Sequence, residues 1–178
     1  LRLAHQFFEE SRIERNLNNT RRMIRTEQVD AWSANLDLEK QWSGSKQRLF
    51  YGLEFIFNKV TSTGEDENIE TGVVTPAASR YPDGAGWYSA AAYLTWRGKV
   101  SDKLTLQSGA RYNAVGLDAR FNQDFFPFPF SEARQRAGAL TGSAGAIYSP
   151  TPFWQFSFNA ATGFRAPNVD DIGKVFDS

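Results

Sequence analysis

The sequence predicts an all-β protein, built as an antiparallel up-and-down meander of about seven strands. Apolar and polar residues alternate with a period of two over long segments, most clearly in LFYGLEFIF (49–57) and WQFSFNAATGF (154–164). Helical spacing fits neither segment. Short, turn-rich connections alternate with long polar ones. Consecutive strands joined in this way pair antiparallel, so the chain is expected to run up and down through one sheet.

The first four predicted strands differ in the quality of their alternation. LRLAHQFFEESRI (1–13) alternates only in part, whereas AWSANLDLEKQW (31–42) places Trp, Ala and Leu on one face and Ser, Asn, Asp and Glu on the other. LFYGLEFIF is aromatic and aliphatic on one face and carries a glutamate on the other. AAYLTWR (91–97) follows the same rule and ends in a charged residue. Each pattern is typical of a strand with two different surroundings.

The last three predicted strands continue the series. LTLQSGARY (104–112) and WQFSFNAATGF alternate clearly, whereas RAGALTGSAGAIYS (136–149) has small residues on both faces and gives a weaker signal. We expect the seven strands at roughly 1–13, 27–42, 47–60, 87–97, 103–113, 135–148 and 153–165.

The connections indicate how the sheet is oriented. The short ones lie at 43–46, 98–103 and 149–152 and contain Gly, Ser, Asp or Pro, the residues that favour turns. The long ones cover roughly 14–26, 61–86 and 113–134. All short turns must then lie at one end of the sheet and all long loops at the other, which is the pattern of a large transmembrane β-barrel of the outer membrane.

A soluble β-sandwich also alternates in polarity, so this pattern leaves two fold classes open. The membrane barrel is favoured because aromatic residues gather near the short turns, as at a membrane–water interface. These residues are Trp42, Phe50, Trp96, Tyr148, Phe153 and Trp154. The opposite face carries Glu54, Arg97 and Arg111 among Ser, Thr, Asn and Gln. Such a face suits a hydrated lumen in which charges pair.

Composition excludes several kinds of function. The chain has 178 residues, 20 basic and 20 acidic, and a formal net charge of zero, which argues against nucleic acid as a partner. It has no Cys and one His, so a thiolate or histidine metal centre is not expected, and no cofactor is implied. No apolar run is long enough for a transmembrane helix. The sequence shows no nucleophile–base pair, and we expect a protein that is not an enzyme.

Three stretches of the chain resemble the barrel region of TonB-dependent outer-membrane receptors. They are FEESRIERN (8–16) with the strand after it, AAYLTWRGKVSDKLTLQSGARYN (91–113) and GSAGAIYSPTPFWQFSFNAATGFRAPNVDDI (142–172). The resemblance implies a Gram-negative outer membrane, outer-membrane lipid around the barrel, and TonB as a partner through a plug domain. It also implies import of a scarce nutrient, with an iron-siderophore or haem leading and cobalamin or a glycan as further options.

The resemblance also implies that the chain is one part of a larger barrel. Transporters of this class have about 22 strands, and fewer than about 8 cannot close. Two alternatives stay open, namely a passive outer-membrane channel and a soluble β-sandwich that serves as a binding or adhesion module.

Candidate ligand-binding residues lie in the long loops. The loop NQDFFPFPFSEA (122–133) could stack on a ligand or could pack against neighbouring loops. Arg165 belongs to GFRAPN (163–168), which the resemblance identifies as the opening of another outer loop, although Gly163 and Pro167 could simply set the exit from the strand. Arg21 and Arg22 could meet an anionic ligand or lipopolysaccharide phosphate, or could be ordinary charges of a solvated loop. Acidic residues at 64–67 and at 170–171 match no calcium-loop template, so no metal is expected. The loop aromatics are Phe125, Phe126, Phe128 and Phe130.

Overall fold

The computed structural model describes residues 1–125 and 128–166, which form a single antiparallel sheet. Seven strands follow one another in chain order across the sheet, and one short strand pairs beside the third. The strands are β1 (Arg2–Glu14), β2 (Arg21–Gln41), β3 (Gln47–Asn68), β4 (Val74–Pro76), β5 (Gly86–Lys99), β6 (Leu104–Arg120), β7 (Glu132–Thr151) and β8 (Trp154–Ala161). The all-β meander is confirmed. Among the described residues, no helix has the length and apolar character needed to span a membrane.

The strands are longer than predicted at the end of the sheet that carries the long loops. β2 begins at Arg21, β3 runs on to Asn68, β6 reaches Arg120 and β7 begins at Glu132. Their polar composition predicted loops for these stretches, but they continue the hydrogen-bonded ladder of the sheet. A strand can be polar on both faces because its backbone stays paired while both faces are solvated. The expected seven strands become eight because β4 pairs with the end of β3. The last strand ends earlier than predicted, at Ala161.

The two ends of the sheet differ in how the strands are joined. At the turn end, Gly44 has φ of 72°, and the backbone N–H of Ser45 donates to the carbonyl of Trp42. This conformation strains side chains with a Cβ but suits glycine. β7 and β8 meet across a tight turn after Thr151, with a register shift beside it. At the loop end, residues 15–20 connect β1 to β2, the connection between β3 and β5 and the connection between β6 and β7 are longer, and residues 77–85 fold over the sheet.

The pairing register separates two faces, which we call outer and inner. One hydrogen-bonded row sets Leu36, Leu53, Ala92, Tyr112 and Leu140 side by side on the outer face. The adjoining row sets Asn35, Glu54, Ala91, Asn113 and Ala139 on the inner face. The aromatic Phe50 shares the inner face with Glu54, so it does not belong to the aromatic group that surrounds the turns on the outer face.

An apolar belt follows the outer face near the turn end. We define it as the outer-face residues within 32–38, 49–57, 88–96, 104–114, 138–148 and 154–160. Its large members, among them Leu53, Leu140 and Phe158, are mostly exposed. An exposed apolar surface of this extent is usually covered by another apolar surface or by lipid, and in a membrane β-barrel it is covered by lipid.

The belt crosses the hydrogen-bonded rows at an angle. It is centred near Asn35 on β2, and the row through Asn35 reaches β7 at Ala139. On β7, however, the belt is centred near Ser143, several residues closer to the turn end. This drift is expected when strands are tilted against a membrane normal.

A small hydrophobic core lies on the inner face beyond the belt. Val60, Ala85, Leu117 and Ala119 are buried there, and Val29, Tyr81 and Trp87 pack against them. Residues 77–85, which we call the shelf, form its cover.

Backbone contacts fix the shelf to β3. The N–H of Gly84 donates to the carbonyl of Val60 at 2.9 Å, and the N–H of Ala77 donates to the carbonyl of Gly64, also at 2.9 Å. A Cβ on Gly64 would lie 2.4 Å from the carbonyl oxygen of Ala78. Only glycine therefore lets the shelf approach the strand this closely.

Candidate functional site

The aromatic loop between β6 and β7 folds into a small cluster at the loop end. Phe121 is 7% exposed, and its ring lies 5.3 Å from that of Phe128 and 5.5 Å from that of Phe130, both edge-on. Phe128 and Phe130 stack on each other at 5.4 Å and keep 38% and 49% of their surface exposed. Offset and edge-on pairs of this kind are favourable beyond the area they bury. The cluster therefore has a buried anchor and an exposed apolar surface.

Local hydrogen bonds give the loop its shape. The N–H of Phe121 donates to the carbonyl of Ser131 at 2.8 Å and closes the base of the loop. The Asn122 side chain accepts from the N–H of Asp124, and the Gln123 amide donates to the carbonyl of Phe130. Phe125 is partly buried, and the candidate Phe126 lies outside the described residues.

The anchor Phe121 was missed in the sequence, although a signal for it is present. Leu117, Ala119 and Phe121 occupy alternate positions on the inner face and are all buried. The apolar alternation therefore continues past the predicted end of this strand at 113 and leads directly into the aromatic loop.

The candidate arginines Arg21 and Arg22 lie in a different hairpin. Arg21 forms an ion pair with Asp66, and Arg22 forms one with Glu67, both across β2 and β3. The hydrogen bond from Arg21 lowers the pKa of Asp66 below its usual range. These two ion pairs join the start of β2 to the end of β3, at the loop end of the sheet, and the structure does not bring the guanidinium groups to the aromatic cluster.

Arg165, the last candidate for ligand binding, lies beyond the end of β8 and is exposed. Gly163, Phe164 and Ala166 of its motif are described, whereas residues 167–168 and the acidic pair at 170–171 lie outside the described residues. Within the described part, no group of three or more His, Cys, Asp or Glu side chains is placed to hold a metal ion.

The inner face at belt height carries paired polar groups. Arg111 forms an ion pair with Glu54, and its Nε donates to the Asn113 side chain at 2.8 Å. Asp37 accepts hydrogen bonds from the Tyr93 hydroxyl and from Arg2. These contacts pair charges of the inner face that remain partly exposed.

Other polar groups extend this inner wall. Arg97 lies on the same face, where its partners in the register are Arg48 and Gln107. Beside Arg111, a shallow groove of about 310 Å³ is lined by Tyr93, Thr95, Thr141 and Ser143 among others. Hydroxyl groups and a guanidinium therefore line one part of the wall, which can be solvated by water.

One buried acid near the shelf was missed by the sequence reasoning. Glu27 is 6% exposed, and neither of its carboxylate oxygens has a hydrogen-bond partner within the described part. Burial raises the pKa of Glu27, while the nearby Arg80 opposes this shift. The shelf buries Glu27, and no local pattern in the sequence predicts this burial.

A one-layer meander with an apolar outer face and a polar, ion-paired inner face has the features of one section of a β-barrel wall. Residues 4–176 match the family model described as "TonB dependent receptor-like, beta-barrel". The chain therefore belongs to the β-barrel domain of the TonB-dependent receptors, and the resemblance seen in its motifs is confirmed.

A solved structure supports the same fold. The chain is similar to a protein described as "Copper transporter OprC", with a TM-score of 0.62 and 12% sequence identity over 74% of this chain. At this identity the likeness shows the fold alone. The chain spans about a fifth of the length of that transporter, since 20% of it is covered.

Proposed function

We propose that this chain forms part of the barrel wall of a TonB-dependent transporter in a Gram-negative outer membrane. The observation that carries the proposal is the contrast between the exposed apolar belt outside and the ion-paired wall inside at the same height. Lipid covers such a belt and water fills such a lumen in outer-membrane barrels. The two edge strands, β1 and β8, do not pair with each other. We propose that further strands complete the barrel, and we call that assembly the complete receptor.

The aromatic cluster is the proposed contact for the transported ligand. Loops held by a rigid ladder are the usual carriers of binding in barrels. Phe128 and Phe130 present stacked, half-exposed rings that are already ordered by Phe121. Order before binding reduces the entropy lost when a ligand arrives.

The ligand class follows from the surface offered. Stacked phenyl rings favour a ligand with a flat unsaturated part, such as the aromatic groups of an iron-siderophore or the ring of a haem. The solved relative is named as a copper transporter, and a likeness at 12% identity does not select a ligand. We propose an iron chelate or haem as the cargo.

We propose transport without a bond-breaking step, so the protein would not be an enzyme. In this mechanism, the ligand binds at the loop end, and TonB acts through a plug domain that opens the lumen. The inner wall contributes Glu54 and Arg111, which stay paired with each other and keep the lumen hydrated.

The test is uptake of radiolabelled ligand by cells that express the complete receptor. We expect Phe128→Ser combined with Phe130→Ser to weaken uptake at limiting ligand by about tenfold, or about 1.4 kcal/mol. Phe153→Ser is the matched control, because this phenylalanine is 93% exposed at the opposite, turn end of the sheet.

The outcomes separate the alternatives. Normal uptake by the double variant, with a normal amount at the surface, would show that these rings serve loop packing. If the amount of receptor at the cell surface falls, binding of the iron chelate or haem to the purified receptor is measured instead of uptake. Uptake that persists in cells without TonB would indicate a passive channel.

A further inference from the structure

The upper border of the apolar belt, at the loop end of the outer face, is marked by aromatic residues. Trp32, Phe57 and Tyr88 are register partners in one row across three strands. His5 adjoins this row from β1 and stacks on Trp32 with ring centroids 4.1 Å apart. Such rings mark the depth at which the apolar layer of a membrane gives way to headgroups.

Cationic side chains occupy the outer face directly beyond this border. Lys59 follows Phe57 on β3, Arg136 and Arg134 follow the belt on β7, and Arg120 lies at the end of β6. Both β7 guanidinium groups are more than half exposed. Neither Lys59 nor Arg120 forms an ion pair within residues 1–125 and 128–166.

Three carboxylates lie among these four cations, so the patch keeps a positive charge. Asp118 is shared by two guanidinium groups, at 3.0 Å from Arg136 Nη1 and 3.4 Å from Arg134 Nε. Glu132 accepts from Arg134 at 3.4 Å. Asp30, the register partner of Lys59, is held by His5 at 3.0 Å.

Gly116 positions one of these guanidinium groups at the border itself. A Cβ on Gly116 would lie 2.3 Å from Arg136 Nη1 and 2.4 Å from the Tyr88 ring. The space left by this glycine is therefore filled by the guanidinium and the ring, which lie 5.2 Å apart in cation–π contact. Arg136 is held against the sheet, with its charge next to the last aromatic residue of the belt.

We propose that Lys59, Arg120, Arg134 and Arg136 bind the phosphate group of a lipid headgroup in the outer leaflet. The belt fixes the depth of the patch, because phosphates lie immediately beyond the apolar layer of the membrane. Guanidinium groups bind phosphate through paired hydrogen bonds, and more strongly than they bind neutral acceptors. The site rests on the proposed function only in the placement of the belt in a membrane.

Asp118 acts as an internal competitor in this site. Its carboxylate forms ion pairs with both β7 guanidinium groups. A phosphate must take over these contacts, so removal of the carboxylate charge is expected to strengthen lipid binding. Neutral substitutions of the arginines and of Asp118 should therefore change the affinity for the lipid in opposite directions.

The experiment titrates the detergent-purified complete receptor with phosphorylated lipid A and follows binding by native mass spectrometry. Arg134→Gln combined with Arg136→Gln is expected to weaken binding by about fivefold or more. Asp118→Asn is expected to tighten it by about twofold or more. The matched control is Arg12→Gln combined with Arg25→Gln, because this pair lies on the inner face of the same end of the sheet.

Three results would overturn the site: equal binding of dephosphorylated lipid A, equal losses in the inner-face control, or weaker binding by Asp118→Asn. Inorganic phosphate that competes at the same concentration as the lipid would show a free-anion site in place of a lipid site. If the receptor requires detergent but binds lipid A equally well with and without its phosphates, only the proposed phosphate site is contradicted. A receptor that is soluble without detergent would remove the proposed membrane placement as well.

Discussion

Towards the turn end, β3 exposes Leu53 on its outer face and places Glu54 on its inner face. Beyond Phe57 the same strand carries Lys59 on the outer face and buries Val60 on the inner face. The side chains continue to alternate between the two faces along this strand, but at Lys59 and Val60 the polarity of the faces is exchanged. β6 shows the same exchange, with Tyr112 outside near the turn end and the buried Leu117 inside near the loop end.

The exchange reflects a change of surroundings along one ladder. In the proposed membrane placement, lipid covers the outer face of the belt and water fills the lumen, so apolar residues point outwards. Beyond the belt, water reaches the outer face, and the shelf covers the inner face instead. Apolar residues there point inwards and build the small core around Leu117. One continuous register can therefore serve a membrane segment and a water-exposed segment.

The largest expected effect is a loss of stability in the small core beyond the belt, with no such loss for a substitution within the belt. Leu117 is 1% exposed beneath the shelf, and Leu117→Ala should cost about 2–5 kcal/mol of local stability. The measurement is amide hydrogen exchange of residues 77–85 in the complete receptor, which should accelerate. Leu53→Ala, at an exposed belt position, should leave this exchange unchanged. An unchanged shelf in Leu117→Ala would show that the inner core does not hold it.

The second prediction tests the belt. Phe156 lies on the outer face of β8, and its neighbour Ser157 lies on the inner face. An arginine at mid-membrane on the lipid face costs about 2–4 kcal/mol, so Phe156→Arg should reduce the amount of folded receptor at the cell surface. Ser157→Arg, which adds the same charge to the lumen, should have little effect. Equal losses in both variants would contradict the assignment of the faces.

The sequence predicted the belt but not the region beyond it, and the physical reason is local. In 49–57 the apolar face is aromatic and continuous, and alternation alone indicates a strand. In 61–68 the residues TSTGEDEN are polar on both faces, so the pattern that identifies a strand is absent. The ladder continues there because β2 and β4 supply backbone partners, which no single segment reveals.

The candidate site was predicted in part for a similar reason. The pairing of Glu54 with Arg111 joins residues 57 positions apart, and sequence could place them only on the same face. The aromatic loop was visible as a composition, but its anchor Phe121 depended on where β6 ends. Glu27 could not be foreseen, because the shelf that buries it comes from a distant part of the chain.

A third, smaller effect concerns this buried acid. Glu27 adjoins Glu10 in the register, with Arg12, Arg25 and Arg80 nearby, and burial raises its pKa. Because the folded pKa lies above the unfolded value, the ionised form destabilises the folded state, and stability falls as pH rises through this window.

Glu27→Gln removes that charge with almost no change of shape. At neutral pH the variant should gain stability on the order of 1 kcal/mol, and the gain should vanish as the pH is lowered. Melting temperatures of parent and variant across a pH series provide the measurement. A variant that is less stable than the parent at neutral pH would show that the carboxylate has a partner.

The smallest effect is expected at the turn end, where another acid has the opposite pH dependence. Asp102 accepts from Lys46 at 3.2 Å and from Lys99 at 3.3 Å, and these hydrogen bonds lower its pKa. Its contribution is therefore present above the unfolded pKa and lost as the pH falls through the folded pKa. Asp102 is largely exposed, so the ion pairs are weak and are screened by salt. Asp102→Asn should lower the melting temperature only slightly at neutral pH and low salt, and the difference should disappear in acid or at high salt. If the decrease in melting temperature becomes larger in acid, the assigned role of the Asp102 charge is contradicted, and the side chain must act in another way.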